Sequence, residues 1–506
     1  MIVENALKNV KYAVIMYITN YVLKFVLRYV FVHILPLKYL GLNSLLNDVL
    51  ILLCVTELGI GSAIVYSLYK PLSINDLITV KAIMSLFKKV YQYIGCIIFG
   101  LGLLILPFLD FFIKDNTIPE VEIFFLIFLL TDAGGYFFSY KWLLLIADQK
   151  QYIYNYYHCI FLTLLSILQM IFLLLFGSYW TFVIIMFIVK FIECYYISKI
   201  AEKLYPFLKN LGNEILDVNI KNSIIKNTKA LVLNKIANVL GSSSISIIAS
   251  KYVGLTVVGL YSNYSLVIGA ITTFCSNVFS SLTANIGNML NVEDERDQIK
   301  MFKSLLYISA WFGSIIFTLM LICLNDLIYL WLGKELQLEN QVVVFLVIMF
   351  YFDYMQNVVR VFKEGAGLYW QERYRPIAEI LINISFSLFL VRYYGLTGII
   401  LGNIIAKLLT SFWIEPYILF SNTFKYSILN YFWQYFKYSI FVLMIAILSL
   451  NITDVIFKEI TMLTLISKAV LVFLLVNIIW ITIFGRDETF KNFKKFFKNK
   501  YKKGFI

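Results

Sequence analysis

Five cations stand inside apolar sequence. Lys24 interrupts "YVLKFVLRYV" and Arg28 follows one helical turn later; Lys190 sits in "IVKFI", Lys235 in "LVLNKIANV" and Lys407 in "IAKLL". Fixed ammonium and guanidinium groups in such surroundings suit the non-covalent holding of an anion with several oxygens to share. A diphosphate suits them, having multiple oxygens to share among several donors. Four carboxylates break the same runs: Glu57, Asp132, Glu193 and Asp353. Two roles are open to them. They neutralise the cations, as Glu193 is placed to do one turn from Lys190, or they bind H+ or Na+ as coupling sites.

Covalent chemistry has little to work with. No P-loop, DxD-type metal-nucleotide motif or nucleophile elbow occurs. Cys54, Cys96, Cys159, Cys194, Cys275 and Cys323 are scattered singly through apolar segments without CxxC spacing, so they read as small buried apolar residues. His33 and His158 are the only histidines. The sequence therefore predicts no enzyme, no metal site and no cofactor beyond a coupling H+ or Na+.

The elements that must position these charges are membrane helices. The chain is 61% hydrophobic and 14% charged, where a soluble domain runs about half apolar and about a quarter charged. Apolar runs long enough to cross a hydrocarbon core recur over approximately 12–35, 42–69, 83–109, 121–146, 152–176, 179–198, 224–249, 255–286, 303–324, 341–362, 376–393, 396–419, 434–451 and 460–484. The expected fold is all-α, a polytopic membrane protein of about fourteen transmembrane helices. Pro36, Pro71, Pro107, Pro119, Pro206 and Pro376 fall at or near span ends, and Pro416, inside a span, predicts a kink. The opening residues run straight into the first helix, with no pattern of a cleaved leader. A cation at mid-bilayer costs roughly 2.5–3.5 kcal/mol, so five facing lipid would cost on the order of 12–17 kcal/mol. They must face protein or a watery cavity.

The chain also repeats itself. "KYLGLN" at 38–43 returns as "KYVGLT" at 251–256, and Lys24, Lys190 and Asp132 have counterparts in Lys235, Lys407 and Asp353 in the same helix order. The echo predicts two parallel six-helix repeats, an N-terminal lobe over 1–210 and a C-terminal lobe over 211–422. Two additional transmembrane helices over 423–486 and a basic cytoplasmic tail over 487–506 follow. Halves with an even helix number enter the membrane in the same sense. They imply a pseudo-twofold axis along the membrane normal, a site between the halves and alternating access.

Basic residues set the orientation. With both termini in the cytoplasm, only Lys38, Lys114, Lys251, Lys334, Arg392, Lys458 and Lys468 fall on the outer side. The net charge of +13 is thus a topology signal, and no nucleic-acid partner is expected. The tail "FKNFKKFFKNKYKKGFI" reads either as a topology anchor or as a segment adsorbing to anionic lipid at about 1 kcal/mol per Lys. "QYIYNYYH" at 151–158 reads either as an interfacial tyrosine belt or as a stacking surface for sugar.

Five blocks carry a family likeness: "YLGLNSLLNDVLILLCVTELGIGSAIVYSLYKPL" (39–72), "ADQKQYI" (147–153), "KYVGLTVVGLYSNYSLVIGAI" (251–271), "EGAGLYWQERYRPIAEIL" (364–381) and "YYGLTGIILGNIIAKLL" (393–409). Together they resemble the Wzx-type polysaccharide repeat-unit flippases. These belong to the multidrug/oligosaccharidyl-lipid/polysaccharide exporter superfamily, with the lipid II flippases and the multidrug and toxin extruders. The resemblance implies a multi-pass bacterial plasma-membrane protein. It would flip undecaprenyl-diphosphate-linked oligosaccharide units for capsule, O-antigen or exopolysaccharide assembly, in company with a polysaccharide polymerase and glycosyltransferases. It also implies that Lys24 and Arg28 hold the lipid diphosphate. One departure stands out: many relatives carry an Asp late in the seventh helix, where this chain reads "SSSISIIAS" (242–250). A multidrug extruder of the same superfamily is the alternative, although its cavity would need acidic groups. A polytopic polymerase or ligase would need a sizeable outer loop, and the outer loops here are short.

Overall fold

The computed structural model describes residues 2–57, 60–114, 117–212, 240–241, 243–424 and 427–485, and it is all-α over them. A backbone polar group left unpaired in hydrocarbon costs several kcal/mol, so an apolar chain of this length resolves into helices that satisfy their own amides. Eleven described helices are long and apolar enough to cross a membrane. The molecule is a multi-pass membrane protein.

The chain divides into two compact units, Met1–Ser262 and Asn263–Ile506. The first begins with α1 (Ile2–Ile34), α2 (Leu37–Leu53), α3 (Ile60–Ser73), α4 (Leu77–Ile105) and the single turn α5 (Leu109–Phe112). It continues with α6 (Val121–Ala147), α7 (Gln151–Phe176), α8 (Tyr179–Leu204) and α9, helical over 243–252. Packing pairs α1 with α7, and α6 with both α4 and α8. Its core is aromatic where these helices meet: Phe31 sets its ring edge-on to Tyr179 and Phe182, and Phe124 does the same to Tyr179.

Helix α10 (Leu255–Val292) contains the division. The second unit holds α11 (Glu295–Leu332), α12 (Asn340–Gly365), α13 (Arg375–Leu409), α14 (Ser411–Asn422), α15 (Ile428–Ile456) and α16 (Met462–Phe484). Here α11 packs on α12, α15 and α16. Phe302 lies at the centre of a ring cluster with Phe362, Phe420 and Phe424.

Twelve of the expected spans lie within the eleven long helices, because Arg375–Asn422 joins the expected 376–393 and 396–419. The reversal between them sits at Gly395, at φ 54° and ψ −132°. That φ is open to glycine at little cost. The expected span 42–69 is not one helix. It breaks at a 3₁₀ turn over Cys54–Glu57 between α2 and α3. Gly61 follows in the first turn of α3, where a Cβ would lie 2.6 Å from the Tyr91 hydroxyl. The expected span 224–249 lies largely outside the described residues.

The expected kink at Pro416 is also relocated. The helix is interrupted at Thr410, φ −128° and ψ −88°, and Pro416 lies inside α14. Proline has no N–H to give the carbonyl four residues back. That carbonyl, on Phe412, instead accepts from Gln356 Nε2 at 3.5 Å.

The echoed glycine motif finds its own copy. A Cβ on Gly41, of "KYLGL", would lie 1.8 Å from the carbonyl oxygen of Leu255, of "KYVGL". A Cβ on Gly259, four residues beyond Leu255, would lie 2.7 Å from the Leu37 carbonyl oxygen, whereas one on Gly254, the motif's own glycine, would meet nothing within 4 Å. Only glycine lets α2 and the first turn of α10 approach so closely.

Candidate functional site

In the first unit the structure gathers three of the sequence-predicted cations. Lys24, exposed, and Arg28, half-buried, stand one turn apart on α1, on the face that carries the half-buried Tyr17 and Tyr21. The Lys24 ammonium lies 5.9 Å from the Tyr21 ring centroid and within electrostatic range of both Arg28 and Lys190. No carboxylate among the described residues pairs with Lys24. Arg28 Nη1 donates to Ser262 Oγ at 2.6 Å, and that hydroxyl in turn donates to the Gly259 carbonyl at 2.8 Å.

Lys190, midway along α8, donates to Glu193 Oε2 at 3.1 Å. Glu193 is buried, and its other oxygen, Oε1, lies 2.5 Å from His158 Nδ1. The His158 ring stacks on Tyr154 with 5.5 Å between centroids. Asp132 on α6 is exposed and close enough to Lys190 for their charges to interact. Like charges held this close favour an anion among them, because each cation lowers the cost of bringing a negative group near the others.

Glu57 does not join this group as a pairing carboxylate. It closes the broken helix: Oε1 accepts from Tyr91 Oη at 2.7 Å and Oε2 from Tyr136 Oη at 2.8 Å. Two neutral donors on α4 and α6 thus satisfy both oxygens.

In the second unit Lys407, in the last turn of α13, donates to Asp353 at the middle of α12. Asp353 leads into a larger network. Arg360 Nη2 lies 3.8 Å from Asp353 Oδ1, and its Nε donates to Glu415 Oε2 at 3.3 Å. Glu415 is fully buried and also faces Lys363 at 3.5 Å and Arg375 at 3.1 Å. Lys363 pairs with Glu372, and Arg375 bonds Glu379 at 2.5 Å. The "EGAGLYWQERYRP" turn is thereby strapped onto α12 and α14. Lys235 lies outside the described residues, as does the basic tail.

Several participants had no sequence signal. Arg360, Lys363, Arg375, Glu372, Glu379, Glu415 and His158 belong to no catalytic or ion-binding motif in the sequence. Lys468, sorted to an outer loop, stands inside α16 and donates to Asp326 at 2.6 Å. Arg360 and Lys363 reach Glu415, His158 reaches Glu193 and Lys468 reaches Asp326 on other helices, whereas Arg375 also bonds Glu379 four residues along its own helix. A fixed offset along one helix, like that of Lys190 and Glu193, is the only pairing that spacing alone exposes.

Three of the "QYIYNYYH" tyrosines, Tyr152, Tyr156 and Tyr157, line a groove, and Tyr154 turns away to Trp142 and His158. Tyr12, Tyr156, Tyr157 and Tyr196, with Lys199 and Lys203, border an open cavity of about 720 Å³ between α1, α7 and α8.

Solved structures of three membrane proteins are similar to this chain in fold. A lipid II flippase, MurJ, in an inward closed conformation is similar at TM-score 0.63 and 15% identity, over 94% of this chain and 99% of that one. An inward-facing multidrug resistance MATE family transporter of the MOP superfamily is similar at TM-score 0.60 and 12% identity, over 79% of this chain and 94% of that one. The VcmN MATE transporter of Vibrio cholerae is similar at TM-score 0.55 and 13% identity, over 83% and 97%. At such identities the likeness is one of fold. No protein-family model matches the sequence, and no curated protein matches it.

Proposed function

We propose that the protein flips lipid-linked oligosaccharides, with an undecaprenyl-diphosphate carrier, across a bacterial plasma membrane for capsule, O-antigen or exopolysaccharide assembly. The observation that carries the reading is the gathering of Lys24, Arg28 and Lys190 in one unit of a fold shared with a lipid II flippase. A diphosphate offers these cations the several oxygens they require, and a cationic drug would be repelled by them. The multidrug-extruder reading draws support from the MATE structures of the same fold. It would need a net acidic cavity.

The lobes 1–210 and 211–422, the two additional helices over 423–486 and the tail 487–506 belong to the same proposal. Support comes from the sequence echo of "KYLGL" and "KYVGL" and from the same helix order of Lys24, Asp132 and Lys190 with Lys235, Asp353 and Lys407. Rocking of the lobes would give alternating access, with both termini cytoplasmic and the tail on anionic lipid. Movement of an intact substrate requires no covalent step, so the protein acts as a transporter beside a separate polymerase and glycosyltransferases. H+ or Na+ coupling through Asp132 or Asp353 completes the scheme.

Leaflet-resolved transfer of an undecaprenyl-diphosphate oligosaccharide in proteoliposomes tests the proposal. Wild-type transfer that is lost in the Lys24→Ala/Arg28→Ala protein is the expected result. Transfer by both would remove the cationic site, and transfer by neither would remove the flippase reading.

A further inference from the structure

The second unit contains a cation pair that is already filled by a carboxylate. Lys407 Nζ contacts Asp353 Oδ2, and Arg360 Nη2 lies 3.8 Å from Oδ1. One carboxylate thus turns each of its oxygens toward a different cation. Two oxygens of a phosphate would do the same with two donors.

Arg360 faces two carboxylates, and their burial decides which can leave. Glu415 is 0% exposed and shared among Arg360, Lys363 and Arg375, so withdrawing it would strand three cations. The Asp353 side chain is 32% exposed, and Lys407 and Arg360 are 19% and 31% exposed. Asp353 can swing out without breaking the buried part of the network. Ion pairs join Lys407, Arg360, Lys363 and Arg375 to Asp353, Glu372, Glu379 and Glu415, with Glu364 in electrostatic range of Arg360 and Lys363. Withdrawing Asp353 leaves Arg360 with Glu415 and strips Lys407 of its carboxylate, an excess of positive charge at that end of the cluster. That excess is costly in a partly desolvated site unless another anion takes the place of the carboxylate. A neutral or cationic ligand offers no such replacement.

We infer that Lys407 and Arg360 form a phosphate-oxyanion site, that Asp353 occupies it as an internal stand-in, and that a diphosphate group binds there by displacing this carboxylate. The inference rests on the flippase reading for its ligand class and adds Arg360 as a ligand and Asp353 as the competitor. The diphosphate could belong to a lipid headgroup or be free in solution, and the two sources are separable.

The full-length protein in nanodiscs is titrated with inorganic pyrophosphate and, separately, with a prenyl diphosphate. Asp353→Asn removes the competing charge and should bind on the order of tenfold tighter than wild type. Asp353→Glu should return wild-type affinity, and Lys407→Ala in the Asp353→Asn background should abolish the gain. Unchanged or weaker binding by Asp353→Asn overturns the inference, as does a gain that survives loss of Lys407. A gain seen with the prenyl diphosphate supports a lipid source, and one confined to pyrophosphate supports the stand-in with a free ligand.

A wild-type measurement guards against misfolded variants. Saturating pyrophosphate or prenyl diphosphate should raise the rate at which a water-soluble carbodiimide modifies Asp353, read by mass spectrometry. A rate unchanged or lowered at saturation refutes displacement. Binding results as expected, combined with no transfer in proteoliposomes, would sustain this site while removing the flippase reading.

Discussion

Lys407 of α13 and Asp353 of α12 pair across two helices, whereas Lys190 of α8 and Asp132 of α6 do not pair in the same way. Lys190 instead gives its ammonium to Glu193 on its own helix at 3.1 Å, and Asp132 stays exposed nearby. The pair in the second unit clips two elements together, while the pair in the first binds a helix to itself.

That difference predicts unequal effects of two matched substitutions. Lys407→Ala leaves Asp353 with only Arg360 at 3.8 Å and should cost about 1–3 kcal/mol of stability. Lys190 is 36% exposed, and its removal leaves Glu193 bonded to His158. Lys190→Ala should therefore cost less than about 1 kcal/mol. Thermal unfolding of the detergent-solubilised proteins, followed by tryptophan fluorescence, compares them; equal shifts would contradict the assignment.

Glu415 should be the most sensitive carboxylate of the network. It is fully buried, and Arg360, Lys363 and Arg375 all depend on it. Glu415→Gln keeps the shape and removes the charge, with an expected loss of about 3–5 kcal/mol. Glu379→Gln, at a more exposed carboxylate bonded by Arg375 alone among these cations, should lose far less. A reversal of that order in unfolding measurements would show that the network does not centre on Glu415.

Gln356 and Pro416 should be coupled. Gln356→Leu leaves the Phe412 carbonyl without its donor, at a cost of about 1–3 kcal/mol. In a Pro416→Ala background the backbone supplies the missing N–H, so the same substitution should cost much less. A double-mutant cycle measures the interaction, and strict additivity would mean that the glutamine does not serve that carbonyl.

Gly41 and Gly259 should tolerate side chains in a graded way. Gly41→Ala drives a methyl group to 1.8 Å from the Leu255 carbonyl, Gly259→Ala to 2.7 Å from that of Leu37, and Gly100→Ala meets nothing within 4 Å. Overpacking costs typically about 1–3 kcal/mol, and a backbone obstacle leaves little room to relax. The yield of monodisperse protein on size exclusion should fall in the order Gly100→Ala, Gly259→Ala, Gly41→Ala. Wild-type yield for Gly41→Ala would mean that this approach is looser than the structure has it.

The sequence by itself determined that the chain crosses a membrane many times as helices. Lipid cannot hydrogen-bond a backbone, so long apolar runs have one solution. It also located Lys24, Arg28, Lys190 and Lys407, because a charge in an apolar run is conspicuous and expensive. It did not determine what those charges touch. Lys190 and Glu193 were legible because helical spacing puts them on one face. Lys407 with Asp353, His158 with Glu193, Lys468 with Asp326, and Tyr91 and Tyr136 with Glu57 join residues remote in the chain. Only the tertiary structure decided these pairings. It also decided where helices break: at Thr410 and not at Pro416, and at Cys54–Glu57 inside a run that looked continuous. A helix breaks where neighbouring helices supply partners for the groups it leaves unbonded. The identity of those neighbours depends on packing, which no local pattern of residues records.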